Sequence, residues 1–493
     1  MTSQPTQHLI LGPLDHLPPR HYTTSVVYIP LKPHVTYSAA FSVLQEGLRQ
    51  TFLDLPWLNG KVVWQSPNSP GWRPGQLEVQ YVPIVPEGPA PWQLKYRELE
   101  TDMGHEELRE LGFPTDAFAD EDILWAPFEP DMNQGADVFV GQATFIPGGC
   151  IVCASIFHSV VDGMAEFTVF KLWADRCQGL ASGEEGLVVG AESADRGILE
   201  KLWRDSHNES SPAETHDATT WGIIGLDHNA HKPTMRDEEQ GNRISIENEM
   251  TEEELPHPQT QPELRSRVFY ISGANLVQLK KECSRAGKLV SGNDAVCALL
   301  WRGLMRARFS FDGRGADSVE AKVEMTVDGR PYLSLPPSYL GNVVLISTAR
   351  MSAKSLCSPS TTLAEVAEVL RNQADAINPS SALEAYSLAR SLPRFDIWDT
   401  RSNPVDGRSV LITSLLTMPT ATIGFGDNGV FANDGKAEGL RTLMGAFNKY
   451  FRICFVMPPK SYGGIEIIFN LFDEELDLLL EDHEFTRFAM QVN

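Results

Sequence analysis

The stretch of this 493-residue chain that most constrains its fold runs from Ile146 to Gly179. A turn signal, Pro147-Gly148-Gly149, precedes the uninterrupted apolar run Cys150 to Phe157, which has the length and composition of a buried strand. A short loop, His158-Ser159-Val160-Val161-Asp162-Gly163, follows, and helical apolar spacing then holds from about Met164 to Cys177, closed by Gly179. A buried strand, a loop and a helix in that order predict an α/β unit with its loop anchored by the sheet.

Similar units recur. Apolar residues at helical spacing from Tyr37 to Phe52 stop before Pro56, and a turn and strand follow through Trp64. Further on, Arg267 to Ile271 has strand character, Gly273 to Ala286 helix character, and Ser291 to Arg308 that of a longer helix with Ser291 or Asn293 at its N-cap. Between these halves, Ser206 to Leu264 turns polar and acidic, the pattern of a solvated crossover. The expected organisation is therefore α/β throughout, with one domain at 1–205, a linker at 206–264 and a second domain at 265–493.

Charge and cysteine content narrow the partners. With 41 basic and 65 acidic residues the formal charge is −24, which disfavours nucleic acid or an anionic membrane surface as partner. No basic segment leads into an apolar signal run and no stretch of about 18 apolar residues occurs, so a cytoplasmic protein is expected. The seven cysteines are scattered through apolar segments, as reduced core thiols are. Cys150 and Cys153 are spaced C-x-x-C, but within a strand, where residues three apart point to opposite faces. No metal site is expected: His158 and Asp162 lack the further ligands zinc needs, and there is no H-E-x-x-H.

The loop from His158 to Gly163 is the strongest candidate for chemistry. A histidine at a strand end can be held within reach of a bound hydroxyl, and its ordinary pKa near neutrality suits proton removal. Asp162 is placed to satisfy a free amide at the start of the next helix, and Gly163 to adopt an angle other residues resist. On spacing alone the residues favour a hydrogen-bonded strand-edge histidine followed by an ordinary helix cap.

Four ordered landmarks add to that reading. The segment Ser155 to Gly163 is similar to the H-x-x-x-D-G region of the BAHD acyl-CoA-dependent acyltransferases. Ser291 to Arg302 resembles the helix opening the second domain of that family, and Val327-Asp328-Gly329-Arg330 with Tyr339-Leu340-Gly341-Asn342 the paired segment after it. Ile412-Thr413-Ser414, then Thr422-Ile423-Gly424-Phe425-Gly426, stand where the family has T-S-W and D-F-G-W-G. The likeness extends from Leu14-Asp15 to Phe472-Asp473-Glu474. Within the family it resembles fungal trichothecene 3-O-acetyltransferases, in Pro56-Trp57, Leu111-Gly112-Phe113-Pro114 and Asp482 to Thr486.

The resemblance implies two chloramphenicol-acetyltransferase-like α/β domains with the active-site channel between them, working as a monomer. It implies an O-acyltransferase that moves an acyl group, acetyl first among them, from CoA to a hydroxyl of a fungal secondary metabolite, with no permanently bound cofactor. His158 would be the general base, Asp162 a structural support of its loop and Thr413 a donor to the oxyanion. Gly163, Arg330, Gly424 and Gly426 would be structural, and Ser291, Asn293 and Arg302 candidates for CoA, with Arg306, Arg308, Lys280 and Lys281 as further cations.

Two positions depart from the pattern. Thr422 replaces the aspartate expected to pair with Arg330, leaving Asp427 or Asp328 as substitutes, and Leu415 replaces the tryptophan of T-S-W. Two other readings share the fold: a binding protein with impaired chemistry, and a condensation-type enzyme using a carrier-bound acyl group, although Phe157 replaces the first histidine of H-H-x-x-x-D-G. Gly424 to Gly429 spells G-x-G-x-x-G, but a short strand and turn are expected after it in place of the helix a dinucleotide site requires.

Overall fold

A computed structural model describes residues 5–183, 186–206, 212–228, 263–284, 289–311, 319–396, 408–418 and 423–492. In the first half the elements are β1 (Gln7–Ile10), β2 (Tyr22–Pro30), α1 (Tyr37–Asp54), β3 (Lys61–Trp64), β4 (Leu77–Tyr81) and β5 (Leu94–Glu98). Then come α2 (His105–Glu110), α3 (Asp120–Ile123), β6 (Ala136–Asp137), β7 (Phe139–Ile146), β8 (Gly149–Phe157), α4 (Gly163–Ser182), α5 (Gly197–Ser206) and α6 (Ala218–Ile223). The second half continues with β9 (Arg265–Ile271), α7 (Gly273–Cys283), α8 (Gly292–Phe311), β10 (Glu320–Asp328), β11 (Val344–Ser352), α9 (Ala353–Cys357), α10 (Leu363–Asp375) and α11 (Pro379–Ser391). It closes with β12 (Ser409–Ser414), β13 (Gly439–Arg441), α12 (Phe447–Tyr450), β14 (Ile453–Val456), β15 (Ile465–Leu471), α13 (Asp473–Glu481), α14 (His483–Thr486) and β16 (Ala489–Gln491).

Each half is organised around its own sheet. In the first, the order is β13-β2-β8-β7-β5, with β8 between two antiparallel neighbours. Every residue of β7 and β8 is buried, which explains why the apolar run shows no alternation: neither face meets water. In the second half the order is β11-β10-β12-β14-β15-β9-β16, with β10, β12 and β14 parallel. The buried face of α8, including Trp301 and Leu304, packs into this half's core. A small sheet, β1-β4-β3-β6, stands apart.

The two halves share structure. β13 comes from the second half in sequence, yet it forms the edge of the first half's sheet, pairing Gly439, Leu440 and Arg441 with Tyr28, Val27 and Val26. A separate core joins Leu14 and Leu17 near the N-terminus to Trp203, Trp221, Tyr339, Leu388 and Phe395.

Several boundaries differ from the sequence reading. Part of the stretch expected as a polar crossover is folded: α6 places Trp221, and Ile224 just beyond it, in that shared core. A short apolar cluster there outweighs the polar composition around it; residues 229–262, with most of the acidic run, lie outside the described residues. The helix after the His158 loop ends at Ser182, not near Gly179, and its left-handed cap is Gly183, φ 71°. Ser291, not Asn293, caps α8: its hydroxyl accepts from the Asp294 amide at 3.0 Å while the Asp294 carboxylate accepts from the Ser291 amide at 2.7 Å. Cys150 and Cys153 are free and buried, and burial raises both thiol pKa values.

Candidate active site

His158 stands at the end of β8, held from several sides. Its amide donates to the His21 carbonyl at 2.9 Å. Its ring Nδ1 lies 3.1 Å from the Val161 carbonyl oxygen. A carbonyl can only accept, so that contact places the proton on Nδ1 and leaves Nε2 as the basic nitrogen. The loop's own carbonyls are also fixed. Asn342 Nδ2 donates to the His158 carbonyl at 2.9 Å, and Arg196 donates to the Val160 carbonyl at 2.5 Å.

Asp162 has no capacity left for substrate. Its carboxylate accepts from the Ala165 amide at 3.0 Å, capping α4, and from the Val343 amide at 3.1 Å. Arg330 completes the set with a two-pronged contact at 2.9 and 3.0 Å, the geometry a planar guanidinium favours. Both side chains are buried. Arg330 also donates to the Tyr339 and Gly341 carbonyls and pairs with Asp328 at 2.9 Å. Of the two substitutes expected for the missing aspartate, Asp328 does pair with Arg330, and Asp162 serves it as well. Asp427 pairs instead with Lys32 at 2.5 Å, and Thr422 lies outside the described residues.

A second buried ion pair lies behind this one. Arg196 meets Asp15 at 3.0 Å, and the other oxygen of Asp15 accepts from the amide and side chain of Asn342. The Tyr339 ring is approached by both guanidinium groups, at 5.8 Å from that of Arg196 and 6.0 Å from that of Arg330. Asp15, Arg196, Asn342 and Tyr339 thus brace the His158 loop from distant parts of the chain. In the sequence Asp15, Tyr339 and Asn342 stand only as landmarks of the resemblance and Arg196 carries no mark at all, because contacts that span up to 327 positions leave no local pattern that assigns a role.

The segment after β12 meets the start of α4 at Met418. Thr413 is half-buried and in register with Phe455 of β14. Leu415, two residues on, packs between two cores. Met418 Cε comes within 3.6 Å of where a side chain on Gly163 would begin. Gly163 lies in the ordinary helical turn of α4 and is absent from the positive-φ positions; it is the approach of Met418, not an unusual angle, that sets its surroundings.

The Gly424 to Gly429 loop supports α4. Phe425 packs edge-on against Phe170 and Trp173, and Asn428 Nδ2 donates to the Cys177 carbonyl at 3.0 Å. Gly426 has φ 75°, and a Cβ there would stand 2.8 Å from Gln178 Cα, so only glycine fits. A bridge at Phe431 and a short turn at Asn433–Gly435 follow, with no helix at the third glycine.

The arginines expected for CoA phosphates all lie on α8. Arg302 is 1% exposed, facing Glu484 at 3.1 Å and the Ser358 carbonyl at 2.9 Å. Arg306 pairs with Asp482 and Glu484, and buried Arg308 lies 3.5 Å from Glu475. Lys280 and Lys281 are exposed on the last turn of α7. The Ser291 hydroxyl is the α8 cap, and Asn293 Oδ1 is buried without a hydrogen-bond partner. No group of three potential metal ligands occurs among the described residues. Among the same residues no helix is long and apolar enough to cross a membrane.

Comparison with known proteins follows this geometry. A family model described as the trichothecene 3-O-acetyltransferase-like N-terminal domain matches residues 21–177, and one described as the transferase family matches residues 226–486. The chain belongs to the transferase family. Across this family, an isocyanide synthase-NRPS hybrid of Aspergillus fumigatus is 29% identical over 99% of this chain, which spans only 31% of that protein's length. An eremophilane O-acetyltransferase of Penicillium rubens is 24% identical over 98% of both chains. Among solved structures, F. graminearum TRI101 complexed with coenzyme A and T-2 mycotoxin has TM-score 0.73 and 20% identity, covering 99% of this chain and 100% of its own. Vinorine synthase has TM-score 0.57 and 14% identity over 97% of each. These matches bear out the expected BAHD-type resemblance and the two-domain, chloramphenicol-acetyltransferase-like fold.

Proposed function

We propose that this transferase is an acyl-CoA-dependent O-acyltransferase acting on a hydroxyl of a fungal secondary metabolite, with acetyl-CoA as donor. It works as a monomer in the cytosol, with domains at 1–205 and 265–493. The observation that carries the reading is the His158 tautomer: Nδ1–H directed at the Val161 carbonyl leaves Nε2 as base, in a loop whose carbonyls are tied down at His158 and Val160. The relatives' names, O-acetyltransferases among them, support the substrate class.

The chemistry follows from that arrangement. As the acceptor oxygen attacks the thioester carbonyl carbon, its proton passes to His158 Nε2. The C–S bond breaks, and the imidazolium returns the proton to the departing CoA thiolate. Thr413, at the end of β12, is the candidate donor to the transient oxyanion. No covalent acyl-enzyme is required, because a thioester is already activated and proximity in one site supplies the rest. Asp162 acts on this chemistry through the loop, as a positioning residue.

The test follows free CoA thiol from acetyl-CoA with a panel of polycyclic alcohols, with product mass as confirmation. His158→Ala, matched for folded content, is expected to lower turnover by about 10²–10⁴-fold. Alcohol-dependent release unaffected by His158→Ala would overturn the mechanism, and acyl-CoA binding without release from any pair would favour the binding-protein reading. A second donor is favoured by one observation: one relative is part of a peptide-synthetase hybrid. Offering the acyl group on a phosphopantetheinyl carrier protein beside free acyl-CoA decides between the two.

A further inference from the structure

His21 immediately precedes β2, and its ring is stacked on that of His158, with centroids 5.5 Å apart and planes 8° from parallel. The residue is 6% exposed, and its Nδ1 is buried with no hydrogen-bond partner. Three aromatic rings surround it: Phe128 at 4.6 Å, Phe447 at 5.5 Å and Phe451 at 6.3 Å. Phe128 comes from the first half of the chain and the other two from the second, so this wall forms where the halves meet. Burial, with the nearby His158 adding to it, pushes the His21 pKa down to about 3, so the ring is neutral and offers one donor and one acceptor nitrogen.

A buried polar nitrogen without a partner is costly in a folded protein and calls for an explanation. A purely structural ring at this position would be served as well by phenylalanine, which the neighbouring aromatics already supply. Instead a second imidazole is stacked on the one read as the base, with its Nδ1 unpaired and three phenyl rings around it. Such a setting fits a ligand that is mostly carbon skeleton but carries a second oxygen near the reacting hydroxyl.

We propose that His21 is a specificity residue for the acceptor, its unpaired ring nitrogen making a hydrogen bond to a second hydroxyl or carbonyl of a polyoxygenated polycyclic alcohol whose reacting hydroxyl lies at His158. Phe128, Phe447 and Phe451 cover the skeleton of that acceptor. The inference rests on His158 being the base. It makes His21 a selector among alcohols and leaves proton removal to His158.

The probes are decalin-1,3-diol and decalin-1-ol, titrated calorimetrically into the full chain saturated with CoA. Wild type is expected to bind the diol about tenfold tighter, the discrimination of one hydrogen bond. His21→Phe keeps the stack and removes both nitrogens, and the ratio is expected to collapse to within about twofold. His21→Gln, which restores a donor and an acceptor, is expected to recover part of it. With acetyl-CoA the change should fall on KM for the diol more than on its kcat. Equal binding of the two alcohols by wild type, or a diol preference untouched in His21→Phe, overturns the proposal. Should His21→Phe unfold, His21→Leu, which likewise removes both nitrogens, takes its place: a diol preference collapsed to within about twofold supports the proposal, and an untouched preference overturns it. Retained turnover in His158→Ala would instead count against the base assignment, which these ratios do not test.

Discussion

Asp162 shows how completely one side chain can be committed to architecture. Two backbone amides and both prongs of Arg330 use its oxygens, so its removal leaves the buried cation with half-exposed Asp328 in place of a buried, two-pronged partner. Asp162→Ala is expected to lower stability by about 3–5 kcal/mol, the cost of breaking a buried pair from one side. Asp162→Ala with Arg330→Met should lose less than the single change, because no buried charge is stranded. Urea midpoints of the two variants check the order, and a double variant less stable than the single would show that the pair's energy lies elsewhere. Residue chemistry was readable at this scale where it was local. His158, Asp162 and Gly163 are adjacent in sequence, whereas Arg196 and Asp15 lie 181 positions apart and leave no joint signature.

Among the elements, α4 depends on a loop more than 200 residues downstream. Phe425 and Asn428 hold it from one side, and Gly426 approaches its backbone at Gln178. Gly426→Ala combines a left-handed φ of 75° with a 2.8 Å clash against Cα, and is expected to lower stability by about 1–3 kcal/mol. The measurement is thermal melting alongside Gly429→Ala, also at positive φ but with no neighbour within 4 Å, which should cost less. Equal costs would show that backbone angle alone matters there. At this scale periodicity served well where helices and strands are long: α1, β8 and α8 were placed to within a few residues. It fails at α6, whose six residues are too few to establish a period, and at the end of α4, where the glycine cap is Gly183 and not Gly179.

For the whole molecule, buried histidines set the response to acid. His16 is pushed down to about 4, mainly by burial, with the Gly12 carbonyl partly opposing it. Its Nδ1 contacts that carbonyl at 2.8 Å, its Nε2 accepts from the Leu77 amide at 2.9 Å, and its ring stacks on Phe395 of the second half. Because the folded pKa lies below the ordinary 6.5, the stabilisation is full above about 6.5 and is lost as pH falls toward 4, amounting to about 3 kcal/mol. His21 acts in the same direction with a lower endpoint, about 3. Glu166, buried and pushed up to about 7 despite a hydrogen bond from Ser25, acts oppositely: its contribution is full below 4.5 and falls as pH rises toward 7. Urea midpoints from pH 7 to 4 are expected to decline on acidification, less steeply in His16→Gln; parallel curves would remove His16 as a cause. The α/β class and the split into halves were legible from alternating strand and helix patterns, but the shared core of Leu14, Trp221 and Tyr386 was not, since each contributor is a few apolar residues in a polar neighbourhood.

The crossing of β13 into the first sheet has an evolutionary reading. Gene fusion readily shuffles units whose sheets are complete within one stretch of chain. Here a recombination point between the halves would separate Val26, Val27 and Tyr28 from the edge they pair with at Gly439 to Arg441. Every chimaera would therefore inherit the rim of one sheet from the parent of the other. Exchange of the complete chain, as a single cassette, is the route that keeps the edge and its sheet from the same ancestor.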